Sequence, residues 1–416
     1  MQNDLDPNGD AMKKLLEVSL GVVTSVGGFL ETGSIATSAQ AGAAYGFSLI
    51  WAVILGTGCL IFLVEMSGRF AIASHHTIAD GIRDRFGSNF FILVIVVMSI
   101  VSIMVLAAEI GGVALALQFL TGWSFQWWAL PVAFATWLLL WRGTFGTIEK
   151  GVSALGLIAL SFVVAMFVMG PPWKEVAKGA LPTLPDKDAS HYAFIAVSIL
   201  GATISNYLFF FYSAGAIEEK WDKSYFGINK ITATFGMAFG GALSVAIIVL
   251  AAMVYPARGI ENIESYEQIA MILTPALGTW GIYIFSLSLL ITCFGAALEL
   301  SLAQAYITAQ GFGWNWSEDA KPKTNPAFSL VYTVAIVIAV IPIAAGLDPL
   351  QVTIFSMAIT AMSLPLGVIP FLFLMNDETF VGDHTNGWIG NVVVLFIIGL
   401  AFTLAIVTVP LQIWGG

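Results

Sequence analysis

The sequence predicts an all-α polytopic membrane protein, and three observations carry that prediction. Of 416 residues, 58% are hydrophobic and only 10% are Asp, Glu, Lys or Arg, whereas a soluble domain carries about 25% charged residues. Apolar runs long enough to cross a bilayer recur along the whole chain. The few charges gather between those runs. A soluble chain of this length needs far more charge to cover its surface, so the composition excludes a cytosolic enzyme, a nucleic-acid binder and a disordered chain. Thirteen Trp and 30 Phe suit lipid-facing and interfacial surfaces. The net charge of −10 comes from loops and says little about partners.

A spanning helix needs about 20 mostly apolar residues. Eleven candidates occur, at roughly 15–44, 47–70, 90–120, 127–141, 150–170, 191–217, 229–255, 277–311, 326–345, 350–375 and 387–413. The first ten residues are acidic and lack the basic start of a cleavable signal peptide. With a cytoplasmic N-terminus, twelve of the 16 Lys and Arg fall on inside segments, and four (Lys174, Lys178, Lys187 and Arg258) fall outside. That asymmetry predicts N-in and C-out. The expected location is the plasma membrane of a prokaryotic cell. The longest polar connections, about 171–190 and 256–275, lie outside in this topology. No soluble stretch is long enough to fold alone, so 1–416 reads as a single transmembrane domain. Cys59 and Cys293 lie in separate apolar runs and read as small core hydrophobes.

Two spans are interrupted. The first carries Gly27-Gly28-Phe29-Leu30-Glu31-Thr32-Gly33-Ser34, and the sixth carries Gly201-Ala202-Thr203-Ile204-Ser205-Asn206-Tyr207. Interrupted segments five spans apart predict two inverted five-helix repeats. The first repeat covers about 15–170 and the second about 191–375, with an eleventh helix at about 387–413. Unwound backbone at membrane depth is tolerated only where it is buried in protein or lines a cavity. There it offers carbonyls and half-helix ends to an ion or substrate. Glu31 sharpens the point, because a charge at mid-membrane is costly unless paired, hydrated or protonated. It reads as a cation ligand; a hydrogen-bonded packing residue and a salt-bridge partner are the alternatives. Ser205 and Asn206 read either as site residues or as helix–helix hydrogen-bonding groups.

At these residues the chain resembles the Nramp family of divalent-metal transporters, which have a LeuT-like fold. The family's first span runs Gly-aromatic-aliphatic-Asp-Pro-Gly-Asn, then Ala-Thr and Gln-Ala-Gly-Ala. Here the stretch is Gly28-Phe29-Leu30-Glu31-Thr32-Gly33-Ser34-Ile35-Ala36-Thr37, followed by Gln40-Ala41-Gly42-Ala43. Further matches are Ala79-Asp80-Gly81-Ile82-Arg83-Asp84, Ala108-Glu109-Ile110-Gly111, Gly201-Ala202-Thr203, Leu364-Pro365 and Ile369-Pro370. They occur in the family's order over about residues 17 to 390.

The departures modify what the resemblance implies. The family's metal-binding Asp is Glu31, its Pro is Thr32 and its Asn is Ser34. The sixth-span Met-Pro-His becomes Ser205-Asn206-Tyr207, a second family His becomes Tyr212, and the tenth-span Gln becomes Met357. Both helix-break prolines are gone, leaving Gly33 to unwind the first helix. Thr32 and Asn206 offer hydrogen bonds that compete with helix. The implied site is Glu31 carboxylate, Ser34 and Ser205 hydroxyls and the Ala202 carbonyl, with Thr32, Asn206, Met357 and Tyr207 as additional pocket residues. With Ser205 replacing the family's thioether, the donors are all oxygen, which suits Mg or Mn better than iron or cadmium. The chain thus resembles the magnesium-transporting branch more closely than the typical proton-coupled members. Met357 reads as a returned thioether ligand or as an apolar gap-filler.

Glu109, Tyr212 and Glu299 form a candidate polar path. The four His (His75, His76, His191 and His384) fall near membrane surfaces and the ninth span has no charged residue, so proton coupling is expected to be weak or absent. The expected partners are the lipid bilayer and a divalent cation as transported substrate. No resident cofactor, nucleic acid or obligate protein partner is expected. No nucleophile–base pair or phosphate-binding glycine loop points to an enzyme. A small organic, possibly cationic, solute is the alternative cargo. It would be held by Glu31 and the aromatic run Tyr207, Phe209, Phe210, Phe211 and Tyr212 through cation–π contacts; lipid-facing and helix-packing bulk is the other reading of that run.

Overall fold

Helix boundaries here are set by turn and capping residues, because the spans are apolar on nearly every face. The computed structural model describes residues 30–142, 151, 155–183, 185, 188–319 and 321–414, and among these it contains helices and no strand. We number the main helices α1 Thr32–Tyr45, α2 Ile50–Ser74, α3 Ile78–Phe86, α4 Ser88–Thr121, α5 Phe125–Trp141, α6 Leu160–Met169 and α7 Ala189–Thr203. The remainder are α8 Asn206–Glu218, α9 Phe226–Val254, α10 Trp280–Phe312, α11 Pro326–Ala344, α12 Pro349–Leu374 and α13 Trp388–Trp414. The Thr77 hydroxyl accepts the Asp80 N–H (3.1 Å) and starts α3. Gly87 (φ 83°) and Gly122 (φ 78°) bound α4 in left-handed conformations that need glycine. Asp348 caps α12 through the Leu350 N–H (2.9 Å), with Pro349 at its first position.

Each expected span has a helical counterpart. The first is described only from residue 30, and the sixth is split into α7 and α8. Among the described residues, seven stretches are long and apolar enough to cross a membrane, α7–α8 counting as one, and three shorter apolar helices accompany them. The most extensive packing is between α4 and α10. α1 lies against α9 and α7, and α12 lies against α4, α7 and α13. The start of α1 and the α7–α8 break are therefore enclosed by other helices, the arrangement that unwound backbone requires. Ile92, Leu93, Val96 and Ile100 of α4 share an exposed apolar face, which in a membrane meets lipid.

Two polar features depart from simple loops. The 256–275 connection is folded into the bundle: Ile263, Tyr266, Ile269, Ile272 and Leu273 are buried, while Glu261, Glu264 and Glu267 stay exposed. The Tyr255 hydroxyl clips it by donating to the Gln268 carbonyl at 3.1 Å. Glu65, near one end of α2, pairs with Arg69 at 3.2 Å. Arg69 also donates to the His384 carbonyl and the Asn386 Oδ1, each at 2.9 Å. This ties α2 to the turn before α13.

Candidate metal site

Helix α1 starts earlier than the glycine pattern suggests. Glu31 is extended (φ −105°, ψ 174°) and α1 begins at Thr32. Gly33 is therefore helical and does not unwind the chain. Its lack of a side chain serves close packing instead: a β-carbon there would overlap the Met357 thioether. Residues 27–29 of the motif lie outside the described residues.

Glu31 occupies the N-cap position of α1 but makes no side-chain cap. Capping falls to another helix: Glu109 of α4 accepts from the Thr32 N–H (3.0 Å) and the Thr32 hydroxyl (2.5 Å) with one oxygen, Oε1. A carboxylate at a helix N-terminus meets unpaired N–H groups and the positive end of the helix dipole. The Glu31 carboxylate is thereby released from local duty. It is 1% exposed, and among the described residues its Oε2 has no hydrogen-bond partner. Among the described residues no Lys or Arg pairs with Glu31 or Glu109. Glu109 and Glu299 are buried as well.

The sixth span is broken between α7 and α8. α7 stops at Thr203, Ile204 turns off the helix (φ −94°, ψ 73°), and Ser205 is extended (φ −77°, ψ 124°) before α8 starts at Asn206. Ser205 holds the N-cap position of α8 and, like Glu31, makes no side-chain cap. The Ala202 carbonyl lies in the last turn of α7, where carbonyls lose their intrahelical donors. Asn206 is committed elsewhere: its Nδ2 donates to the Thr360 carbonyl (3.3 Å) and to Ser363 Oγ, both on α12. Its helix–helix role is thus the one the structure supports, with Oδ1 lacking a partner among the described residues.

Met357 connects the start of α1 with α7. Its thioether lies on Gly33, and its backbone carbonyl lies 2.9 Å from where a β-carbon of Gly201 would sit. Ser34, Ala202 and Ser205 are all buried. Tyr207, in the first turn of α8, is buried. The Tyr212 ring packs elsewhere, edge-on to Trp221 at 5.7 Å between centroids and against Gly68 of α2. Among the described residues no group of three or more His, Cys, Asp or Glu side chains could hold a metal by itself. An ion here would depend on hydroxyl and carbonyl oxygens beside Glu31 rather than on a carboxylate cage.

Two participants were not foreseen from sequence. The Tyr266 hydroxyl donates to the Thr32 carbonyl at 3.2 Å and lies 3.4 Å from Thr353 Oγ1. The Cys293 thiol of α10 lies beside Glu109. Tyr266 sits in a stretch whose exposed Glu residues mask its inward-facing positions. Cys293 carries no neighbouring ligand pattern.

Comparison with known proteins supplies the context for this geometry. The family model described as "Natural resistance-associated macrophage protein-like" matches residues 21–410. The divalent metal cation transporter MntH of Pectobacterium carotovorum subsp. carotovorum (strain PC1) is 27% identical over 391 residues, covering 92% of each chain. The crystal structure of the Eremococcus coleocola manganese transporter, in complex with an aromatic bis-isothiourea substituted compound, superposes with a TM-score of 0.81 at 17% identity. That match covers 99% of this chain and 90% of that one. Mhp1, a nucleobase-cation-symport-1 family transporter in a closed conformation with bromovinylhydantoin bound, gives a TM-score of 0.62 at 14% identity, covering 95% and 91%. These structural likenesses establish the fold, the LeuT-like arrangement of broken helices.

Proposed function

The chain belongs to the Nramp family, and from that premise we propose that it is a membrane carrier of divalent cations, manganese or magnesium, working by alternating access with weak or absent proton coupling. One observation carries the proposal. Glu31 is a buried carboxylate at the N-cap of α1, excused from capping by Glu109, with an oxygen that no described residue satisfies. A buried anion so placed gains most from a cation. The name of the Pectobacterium relative, a divalent metal cation transporter, supports the same cargo class. Ser34, Ser205 and the Ala202 carbonyl, all buried, would offer oxygen donors beside Glu31, which favours hard ions over soft ones.

The proton side rests on where the titratable groups lie. All four His sit at helix ends or in turns: His75 ends α2, His76 follows it, His191 is in the first turn of α7 and His384 precedes α13. α11 has no charged residue. The membrane potential alone supplies about 2.3 kcal/mol per charge per 100 mV, enough to concentrate a divalent ion without protons. The alternative, an organic cation, would draw on the aromatic run of α8. Those rings are spent on packing, with Phe209 stacked on Phe210 (4.9 Å between centroids) and on Phe371 (6.0 Å).

The test is uptake of Mn and Mg into proteoliposomes held inside-negative, with luminal pH followed in parallel. Saturable uptake of at least one ion without acidification is expected. No uptake of either ion would reject the cargo, and acidification that tracks uptake would reject the uncoupled mechanism.

A further inference from the structure

The two peptide groups that follow Glu31 are pinned by different parts of the protein. The first, between Glu31 and Thr32, presents its N–H to Glu109 Oε1 at 3.0 Å. The second, between Thr32 and Gly33, presents its carbonyl to the Tyr266 hydroxyl at 3.2 Å. The Thr32 side chain completes the hold, its hydroxyl 2.5 Å from the same Glu109 oxygen. Its methyl fills a notch at Gly112, one helical turn beyond Glu109, where a β-carbon would strike it. Thr32, Glu109 and Tyr266 are all essentially inaccessible to solvent. A proline at position 32, the residue of the family pattern, would have neither the N–H nor the hydroxyl.

We propose that Thr32 is a positioning residue, clamped between Glu109 and Tyr266, that sets the orientation of Glu31 and latches the 256–275 connection over the site. The Glu109 end is rigid, because α4 is packed along α10 and α12. The Tyr266 end belongs to a connection that reaches in from beyond the helix ends, held there by Tyr255. Lifting that connection removes the hydrogen bond from the Thr32 carbonyl. Access from that side and the geometry of Glu31 then change together. This rests on the assignment of Glu31 as the cargo ligand, but the clamp can be measured without any cargo.

Cys293 is the reporter, since it is fully buried beside Glu109 and Gly112. In a Cys59→Ser background, a membrane-impermeant methanethiosulfonate is applied from the side bearing the 256–275 connection, and the Cys293 labelling rate is followed. Tyr266→Phe keeps the ring and loses only the hydroxyl; it is expected to label roughly fivefold faster, the effect of one net hydrogen bond. Thr32→Val is expected to label faster as well, and Thr32→Ser, which keeps the hydroxyl but loses the methyl at Gly112, more slowly than Thr32→Val. Unchanged labelling in both Tyr266→Phe and Thr32→Val overturns the clamp. Equal acceleration by Thr32→Ser and Thr32→Val overturns the part assigned to the hydroxyl. A protein that follows the expected labelling pattern but takes up neither Mn nor Mg overturns the cargo assignment and leaves the clamp standing.

Discussion

The thioether of Met357 rests directly on Gly33, in the first turn of α1, and a β-carbon at residue 33 would overlap it. Met357 is completely buried, so a β-carbon at residue 33 is admitted only if the thioether turns aside within the packed core. Gly33→Ala is therefore expected to lower uptake about tenfold, from overpacking of about 1–3 kcal/mol. Met357→Ala in the same chain should return much of that loss by clearing the overlap. A double-mutant cycle on uptake rate and melting temperature measures the coupling; additive effects would place Met357 elsewhere in the working cycle.

Asn206 joins the start of α8 to α12 through the Thr360 carbonyl and Ser363 Oγ. Asn206→Ala and Ser363→Ala are each expected to lower stability by about 1 kcal/mol, and the double substitution by little more than Asn206→Ala alone. Thermal unfolding in detergent checks this.

Arg69 serves Glu65, the His384 carbonyl and Asn386 at once. A lysine offers a single point charge and cannot hold that fork. Arg69→Lys should lose about 1–2 kcal/mol and Arg69→Met about 3 kcal/mol, read by the same unfolding measurement. Equal melting temperatures for Arg69→Lys and the parent would contradict the multidentate role.

Acid sensitivity is expected at Asp377, in the turn after α12. Its carboxylate accepts the Thr379 hydroxyl (2.6 Å) and N–H (3.0 Å) and meets Arg85 at 2.8 Å. The hydrogen bonds first, and the Arg85 charge second, hold its pKa below the usual carboxylate range. A folded-state pKa below the unfolded value of about 3.9 gives stability that is complete above that pH and is lost as pH falls through the lower folded value. Melting temperature is therefore expected to show no pH dependence from this group between about pH 5 and 8, where its stabilisation is fully present, and a fall below about pH 4 that is smaller in Asp377→Asn.

The spans were legible because apolar length is a direct physical requirement of the bilayer, and the α7–α8 break was legible from Gly201 and the Ser205-Asn206 pair. The unwinding role read for Gly33 does not hold: it lies within α1, where it admits Met357. No local pattern could reveal that Glu109, 77 positions further along, caps Thr32. That is a tertiary contact, and the cap moves from Glu31 to α4 only once the helices are packed. Tyr266 was hidden for a related reason. The charges around it mark a loop, while its own side chain follows the three- and four-residue spacing of the inward-facing positions 263, 266, 269 and 270.

Replacing one oxygen of Glu31 by an amide tests the cargo role most directly. Mn and Mg uptake into proteoliposomes is compared for the parent and Glu31→Gln at matched protein density and potential. Glu31→Gln is expected to abolish uptake or raise KM by two orders of magnitude or more, about 2.7 kcal/mol, while leaving the protein folded. Uptake with unchanged KM and Vmax in Glu31→Gln would contradict the assignment of Glu31 as the ion's ligand.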